Sequence, residues 1–302
     1  MADYVKEYFD RHAEAWVEAA YAGDAKFPIG AERVRLALEG VEPARRDGAA
    51  LVDLGCGGGQ LCVHAARLGW SAVGVDVAPA MIEQAKRERG DLPIRYLAAS
   101  FDDNGLDDGA FDAVAALGLI EYLPDDAAFF TEARRLLRPG GRLAVSCRNR
   151  LYNLQSANHY TQRELDRGDA VALADELAAT LDETGPAELR ELADELAAAG
   201  AELAEAARRD RDEPSHRLLD HARTFGEDRR QHTPRALADV AERAGFRNVS
   251  VLALHPHPLP PDLERLSPRF YNRLALAWQR PLERSPLGLA FCSAFVAIFE
   301  AQ

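Results

Sequence analysis

The chain has 302 residues and a net charge of −13, from 49 acidic and 36 basic side chains. That length suits one large domain or a core carrying an insertion, and the negative field repels phosphate backbones, which argues against a nucleic-acid partner. Four cysteines without Cys-x-x-Cys spacing indicate neither a zinc site nor a disulfide frame, and no apolar run reaches the roughly 18 residues of a membrane span; with no signal-peptide core at the amino terminus, a cytoplasmic protein is expected.

In chain order, Tyr4, Val5, Tyr8, Phe9, His12 and Trp16 recur at three-to-four spacing and predict an amphipathic helix over 3–20, part of a helical cap over 1–45. From Leu51 strand and helix alternate. Strands are predicted at 50–54, 71–76, 94–98, 111–116 and 142–147, and helices at 59–68, 79–88 and 125–137. Pro139-Gly140-Gly141 reads as a breaker before the fifth strand. Strands separated by helices of about ten residues give right-handed βαβ units and a parallel sheet. An Ala/Glu/Leu/Arg-rich stretch over 161–223, broken at Gly185-Pro186, reads as a helical hairpin within an insertion spanning 151–230. Sheet chemistry resumes at Thr233-Pro234, a cap followed by a helix-opening proline, then a strand near 249–254, a helix near 269–279 and a last strand at 291–299.

The stretch from Leu51 to Gly59 is an apolar strand running into Gly55, Gly57, Gly58 and Gly59, where a ligand can press against bare main chain. Asp76 ends the next strand, where an acid commonly grips ribose hydroxyls in open α/β sheets. Counted from Gly55, the third position of the dinucleotide fingerprint Gly-x-Gly-x-x-Gly is Gln60, so the nicotinamide pattern fails by one residue. Asp53, two residues before the first glycine, suits a cationic ligand better than a pyrophosphate, because a partly buried carboxylate needs a partner of opposite charge.

Asp53-Leu-Gly-Cys-Gly-Gly-Gly resembles motif I of the class I S-adenosylmethionine-dependent methyltransferases. The resemblance implies a doubly wound, Rossmann-like α/β fold with a seven-stranded sheet, its last strand antiparallel, and a cofactor-binding domain over 46–150 and 231–302. It implies S-adenosylmethionine as cofactor and S-adenosylhomocysteine as product. By that resemblance Asp53, Gly55, Cys56 and Gly57 meet the methionine half, Asp76 binds the ribose, and Val77 and Met81 wall the adenine. Ser100, Phe101 and Asp102 follow the third strand at the adenine edge, with Ser100 where many relatives carry Asp. Leu117 skirts the transferable methyl, and Trp16 lies in a segment that folds over the cofactor in similar enzymes. Tyr122 stands where the family often has His, which alters the acceptor pocket.

Acceptors bind at the carboxyl edge of such sheets. Arg148, Arg150 and Tyr152 directly follow the fifth strand and are candidate acceptor ligands with Tyr122 and Tyr160; the two arginines suit an acceptor carboxylate. A general base is needed only where the acceptor must lose a proton. His159 and His232 are the candidate bases, ahead of His216 and His221 in the insertion. The leading reading is methyl transfer to an oxygen or nitrogen of a small molecule, with the insertion as a lid or a contact between two subunits. No metal is indicated. The rivals are a nicotinamide-dependent oxidoreductase on a similar sheet and a non-catalytic protein that binds the cofactor.

Overall fold

The computed structural model describes residues 5–13, 27–156, 158–187, 229–257 and 267–302, with isolated positions between 190 and 209 and between 259 and 264. Seven strands form one sheet: β1 (Ala50–Leu54), β2 (Ser71–Asp76), β3 (Arg95–Ala98), β4 (Phe111–Leu117), β5 (Leu137–Arg148), β6 (Phe246–Pro256) and β7 (Cys292–Ala301). Their order is β3-β2-β1-β4-β5-β7-β6. β1 to β5 pair in parallel, and β7 runs antiparallel to both β5 and β6. Chain order reverses between β1 and β4, so the carboxyl ends of these two strands open a crevice for a ligand.

The helices are α1 (5–13), α2 (Ile29–Val41), α3 (Gln60–Arg67), α4 (Pro79–Glu88), α5 (Asp126–Leu136), α6 (Asn153–Ser156), α7 (His159–Arg167), α8 (Ala170–Asp182), α9 (Pro234–Arg243), α10 (Pro268–Leu282) and α11 (Pro286–Phe291). They cover both faces, as parallel strands require. One core unites Leu36, Leu61, Ile82 and Ala275 beneath α2, α3, α4 and α10; the other unites Phe129, Phe130, Leu237 and Phe299 beneath α5 and α9. The doubly wound sheet and its antiparallel last strand are as the sequence predicts.

Several boundaries differ from the sequence reading. Pro139-Gly140-Gly141 lies inside β5, where Phe111 pairs with Leu137 but Ala113 pairs with Arg142, so the prolyl segment is a register excursion rather than a breaker. Helices α2 and α11 were not expected as separate elements. The insertion starts earlier than the predicted hairpin: α6, α7 and α8 follow β5 at once, and Tyr160, Glu164 and Leu173 are buried against the body. Leu165 and Leu181, within that stretch, are exposed. Of the stretch after Gly185-Pro186, Leu189, Leu192, Leu196 and Leu203 lie outside the described residues. Among the described residues no helix is long and apolar enough to cross a membrane.

Asp112, at the start of β4, is buried and ties three segments together. It accepts hydrogen bonds from the Ala50 amide (2.9 Å), Arg46 Nε (2.6 Å) and Arg138 Nη1 (2.5 Å). Burial alone would raise its carboxyl, but the amide and the two guanidiniums outweigh that and hold it below the ordinary aspartate range. Its contribution to stability is therefore complete above the unfolded value of about 3.9 and is lost as pH falls through the lower folded value. Asp112→Asn is expected to cost about 1–3 kcal/mol near neutrality and to flatten the acid side of the urea midpoint measured against pH. An unchanged acid limb would mean that Asp112 does not link folding to pH.

Candidate active site

The turn after β1 is built from backbone. The amides of Gly55 and Cys56 donate to the Val75 carbonyl at 2.8 and 3.0 Å, which ties the loop to the end of β2. Gly59 has φ +80, and a Cβ there would fall 2.3 Å from the Tyr96 hydroxyl, so only glycine lets α3 begin this close to β3. Asp76 closes the arrangement. Its Oδ2 accepts from the Gly57 amide and its Oδ1 from the Ala78 amide, each at 2.9 Å.

Asp53 and Asp76 line one side of a cleft with Gly55, Cys56, Gly57 and Gln60. Asp53 is 3% exposed and its Oδ1 has no hydrogen-bond partner. Burial, reinforced by Asp76, pushes the Asp53 carboxyl well above its ordinary value. Asp76 is raised too, by burial, although its two amide donors oppose the shift. Among the described residues no lysine or arginine forms an ion pair with either acid, so the cleft carries an unmet demand for positive charge. The Cys56 thiol is pushed up by burial first and by Cys62, Asp76 and Asp53 next, which leaves it a protonated lining group and no nucleophile.

Val77, Met81, Phe101 and Leu117 supply apolar walls of the same cleft. Ser100 and Asp102 do not line it; they bond to each other, with Asp102 exposed, while Ala99 takes the lining position between the strand and Phe101. Trp16 lies outside the described residues, but α1 packs across the cleft through Val5 and Phe9, and the Phe9 ring meets Tyr122 edge-on at 5.8 Å. Helix α2 brings Arg33 into the cleft. Its Nη1 lies where a Cβ on Gly118 (φ +79) would come within 2.9 Å, so Gly118 admits the guanidinium against the main chain. Arg33 was missed in the sequence because nothing near it in the chain marks it; the apolar spacing of Ile29, Val34, Leu36 and Val41 was the one available signal for its helix.

Glu121, Tyr122 and Arg229 also line the cleft. Arg229 Nη1 stands 3.7 Å from Glu121 Oε1, and Arg148 Nε stands 4.0 Å from Glu121 Oε2, one layer behind. Tyr160 is set back as well: its hydroxyl accepts from the Arg229 amide at 3.3 Å, and Arg148 lies over its ring at 5.6 Å. Burial first, then Glu121, raises the Tyr122 phenol, which keeps it protonated. Four sequence-based expectations need correction. Arg150 turns its Nε and Nη2 to Glu164 (2.5 Å) and Asp169 (2.5 Å) and does not line the cleft. Tyr152 is buried away from the cleft beside His257. His159 is exposed at the start of α7, its ring tilted against Tyr160 at 4.0 Å, and does not line the cleft.

His232 is the fourth. It is buried between two partners, with Nδ1 3.0 Å from Cys147 Sγ and Nε2 2.8 Å from Asp126 Oδ2, and both ring nitrogens are used. Its backbone bridges Arg148 and Arg150 through amide–carbonyl bonds of 3.1 and 2.9 Å. Arg230 adds a 2.6 Å bond to Asp126. The geometry makes His232 a clamp that fixes segment 229–232 beside β5 and so positions Arg229. His216 and His221 lie outside the described residues. His232→Gln is expected to lower stability by about 1–3 kcal/mol while the pH profile of turnover keeps its acid limb. Loss of that limb at unchanged stability would make His232 the base.

The Asp53 geometry gives a second expectation. Asp53→Asn replaces a buried carboxyl whose ionisation is opposed by burial and by Asp76. The variant is expected to melt at or above the wild-type temperature at pH 7 yet bind S-adenosylmethionine at least tenfold more weakly by calorimetry. Unchanged affinity would remove Asp53 from the ligand site.

Comparison with known proteins fits this geometry. A family model described as a methyltransferase domain matches residues 52–145. A ubiquinone biosynthesis O-methyltransferase from Xanthomonas oryzae is 34% identical over 125 residues, 37% of this chain and 52% of that protein. One from Cereibacter sphaeroides is 38% identical over 110 residues, 36% of this chain and 44% of that protein. The chain thus spans about half the length of these relatives. Among solved structures, geranyl diphosphate C-methyltransferase from Streptomyces coelicolor superposes with a TM-score of 0.52 at 17% identity, over 90% of this chain and 78% of that one. A chain from the Haloferax volcanii Trm112–methyltransferase complex gives 0.53 at 16% identity, over 97% of both; at these identities the likeness is one of fold. Residues 52–145 thus match a methyltransferase domain, set within a seven-stranded sheet of order β3-β2-β1-β4-β5-β7-β6.

Proposed function

We propose that the chain transfers a methyl group from S-adenosylmethionine to a hydroxyl of a small, phenolic acceptor. The observation that carries this reading is the pair of buried acids in a cleft that Arg33 also lines: acids for the cationic groups of the cofactor, and a guanidinium for its carboxylate. Asp76, Val77, Met81 and Phe101 would hold the adenosine, and the Gly55–Gly57 backbone with Asp53 would hold the methionyl part. When bound, the cofactor supplies a methyl carbon already activated by the sulfonium. The residues of this chain then have placement and water exclusion as their main tasks, which are worth several orders of magnitude in rate.

Oxygen as the accepting atom is supported by the names of the similar O-methyltransferases and by the aromatic walls at Phe9 and Tyr122. A phenol must lose its proton. Glu121 lines the cleft and its Oε2 lacks a hydrogen-bond partner, which suits it to accept that proton, with Arg229 and Arg148 steadying the carboxylate. We read α7 and α8 as part of an acceptor-side cover, tethered through Tyr160 and the His232 clamp.

The test is transfer from methyl-labelled S-adenosylmethionine to caffeate, followed by mass spectrometry. Label is expected on a ring oxygen. Asp76→Asn keeps the side-chain shape and is expected to lower kcat/KM at least tenfold through cofactor affinity. Glu121→Gln is expected to lower kcat by about 10²–10⁴, the usual yield of a general base, with cofactor affinity intact. Cofactor heat with no label in caffeate or in any of a panel of phenols would turn the reading toward a non-catalytic binding protein.

A further inference from the structure

Helix α4 begins without a cap of its own. Ala78 stands at its N-cap position, where a methyl side chain accepts no hydrogen bond, and Pro79 follows with no amide hydrogen. Two acids outside the helix serve this end instead. Asp76 Oδ1 accepts from the Ala78 amide at 2.9 Å, and Asp10 Oδ1, from α1, accepts from the Ala80 amide at 3.1 Å. Asp10 therefore caps α4 from 70 residues away in the chain, and a carboxylate suits the positive end of a helix.

The cap docks α1 along the cleft. Ala13 packs with Ala78 and Met81 in a small apolar cluster flanked by Phe9 and Ala80. Val5 and Phe9 line the cleft together with Val77 and Met81. Away from α4, the Phe9 ring meets Tyr122 edge-on at 5.8 Å. Burial raises the Tyr8 phenol and the charge of Arg229 opposes the shift, so this face of α1 lies within the field of Arg229. Lys6, Glu7, Arg11 and His12 form the exposed face. Helix α1 thus rests on two walls at once, the Val77–Met81 wall and the Tyr122 wall. A helix of this kind takes most of its stability from what its apolar face packs against.

We propose that Asp10 is a positioning residue for methyl transfer: by latching α1 to the start of α4, it couples occupancy of the cofactor site to the acceptor wall made by Phe9 and Tyr122. This rests on the methyl-transfer reading and adds a link between its two ligands. An adenosyl ligand beneath Val5 and Phe9 gives α1 more apolar surface to cover, and a docked α1 keeps Phe9 against Tyr122. The effect is mutual, since the factor by which one ligand tightens the other is the same in both directions. Asp10 does not line the cleft and acts through α1.

The experiment follows hydrogen exchange of segment 5–13 in the full chain, with and without S-adenosylhomocysteine, and then steady-state kinetics with caffeate. In the wild-type chain the product is expected to slow exchange of 5–13 by at least about fivefold, the lower end of ordinary coupling between sites. In Asp10→Ala that slowing is expected to fall below about twofold, and the KM for caffeate to rise at least about fivefold with kcat unchanged. Asp10→Asn keeps an acceptor oxygen for the Ala80 amide without the charge that Asp10 exerts on Asp76, and is expected to restore both. Three results would overturn the latch: wild-type slowing in Asp10→Ala, an unchanged KM, or Asp10→Asn no better than Asp10→Ala. So would unaltered exchange in a wild-type chain that binds the product by calorimetry. Failure of the methyl-transfer reading is seen separately, as absence of labelled caffeate from a wild-type chain in which the product still slows exchange of 5–13.

Discussion

Two carboxylates buried side by side, with no basic partner of the protein's own among the described residues, are the constraint on which the rest of this site depends. Asp53 and Asp76 end adjacent strands, and the glycine turn between them leaves no side chain to satisfy them. Asp76 spends its two oxygens on the Gly57 and Ala78 amides and thereby sets the loop. Asp53 is left with an oxygen that meets nothing. A buried carboxylate in that position either stays protonated or waits for a cation, so an adenosyl ligand carrying ammonium and sulfonium groups supplies what the fold lacks.

Charge changes sign along the same cleft. The acids stand at the β1 and β2 ends; Arg33 and Arg229 stand at the α2 and acceptor side, with Glu121 between the arginines. Arg229 gets there because His232, Asp126 and Cys147 pin its segment to β5. The Asp126 carboxyl is held below its usual value: burial opposes this, and His232 and Arg230 more than offset it. Five different segments thus bring charged groups of both signs to one cleft.

How much of this the sequence shows depends on chain distance. The β1–α3–β2 unit is local, so its strand, glycines and Asp76 are all visible within 27 residues, and α4 begins and ends where its proline and apolar spacing place it. Arg33 and Arg229 come from elements remote from the motif, and nothing in their own neighbourhoods announces which face of the sheet they reach. Arg150, just past β5, and His232, just before α9, read as site candidates from their positions, yet their side chains turn to partners (Glu164, Asp169 and Asp126) that only the tertiary fold brings near. The Pro139-Gly140-Gly141 segment misled for the reverse reason: breaker residues are tolerated where a strand carries an excursion of register.

The most direct test of the buried acid pair is the proton count on ligand binding. If Asp53 is protonated in the free protein and ionises beside the cationic cofactor, titration of S-adenosylmethionine at pH 6 in buffers of different ionisation enthalpy will show net proton release in the wild-type chain and none from this source in Asp53→Asn. A binding heat independent of buffer, or no binding heat from well-folded protein, would contradict the account.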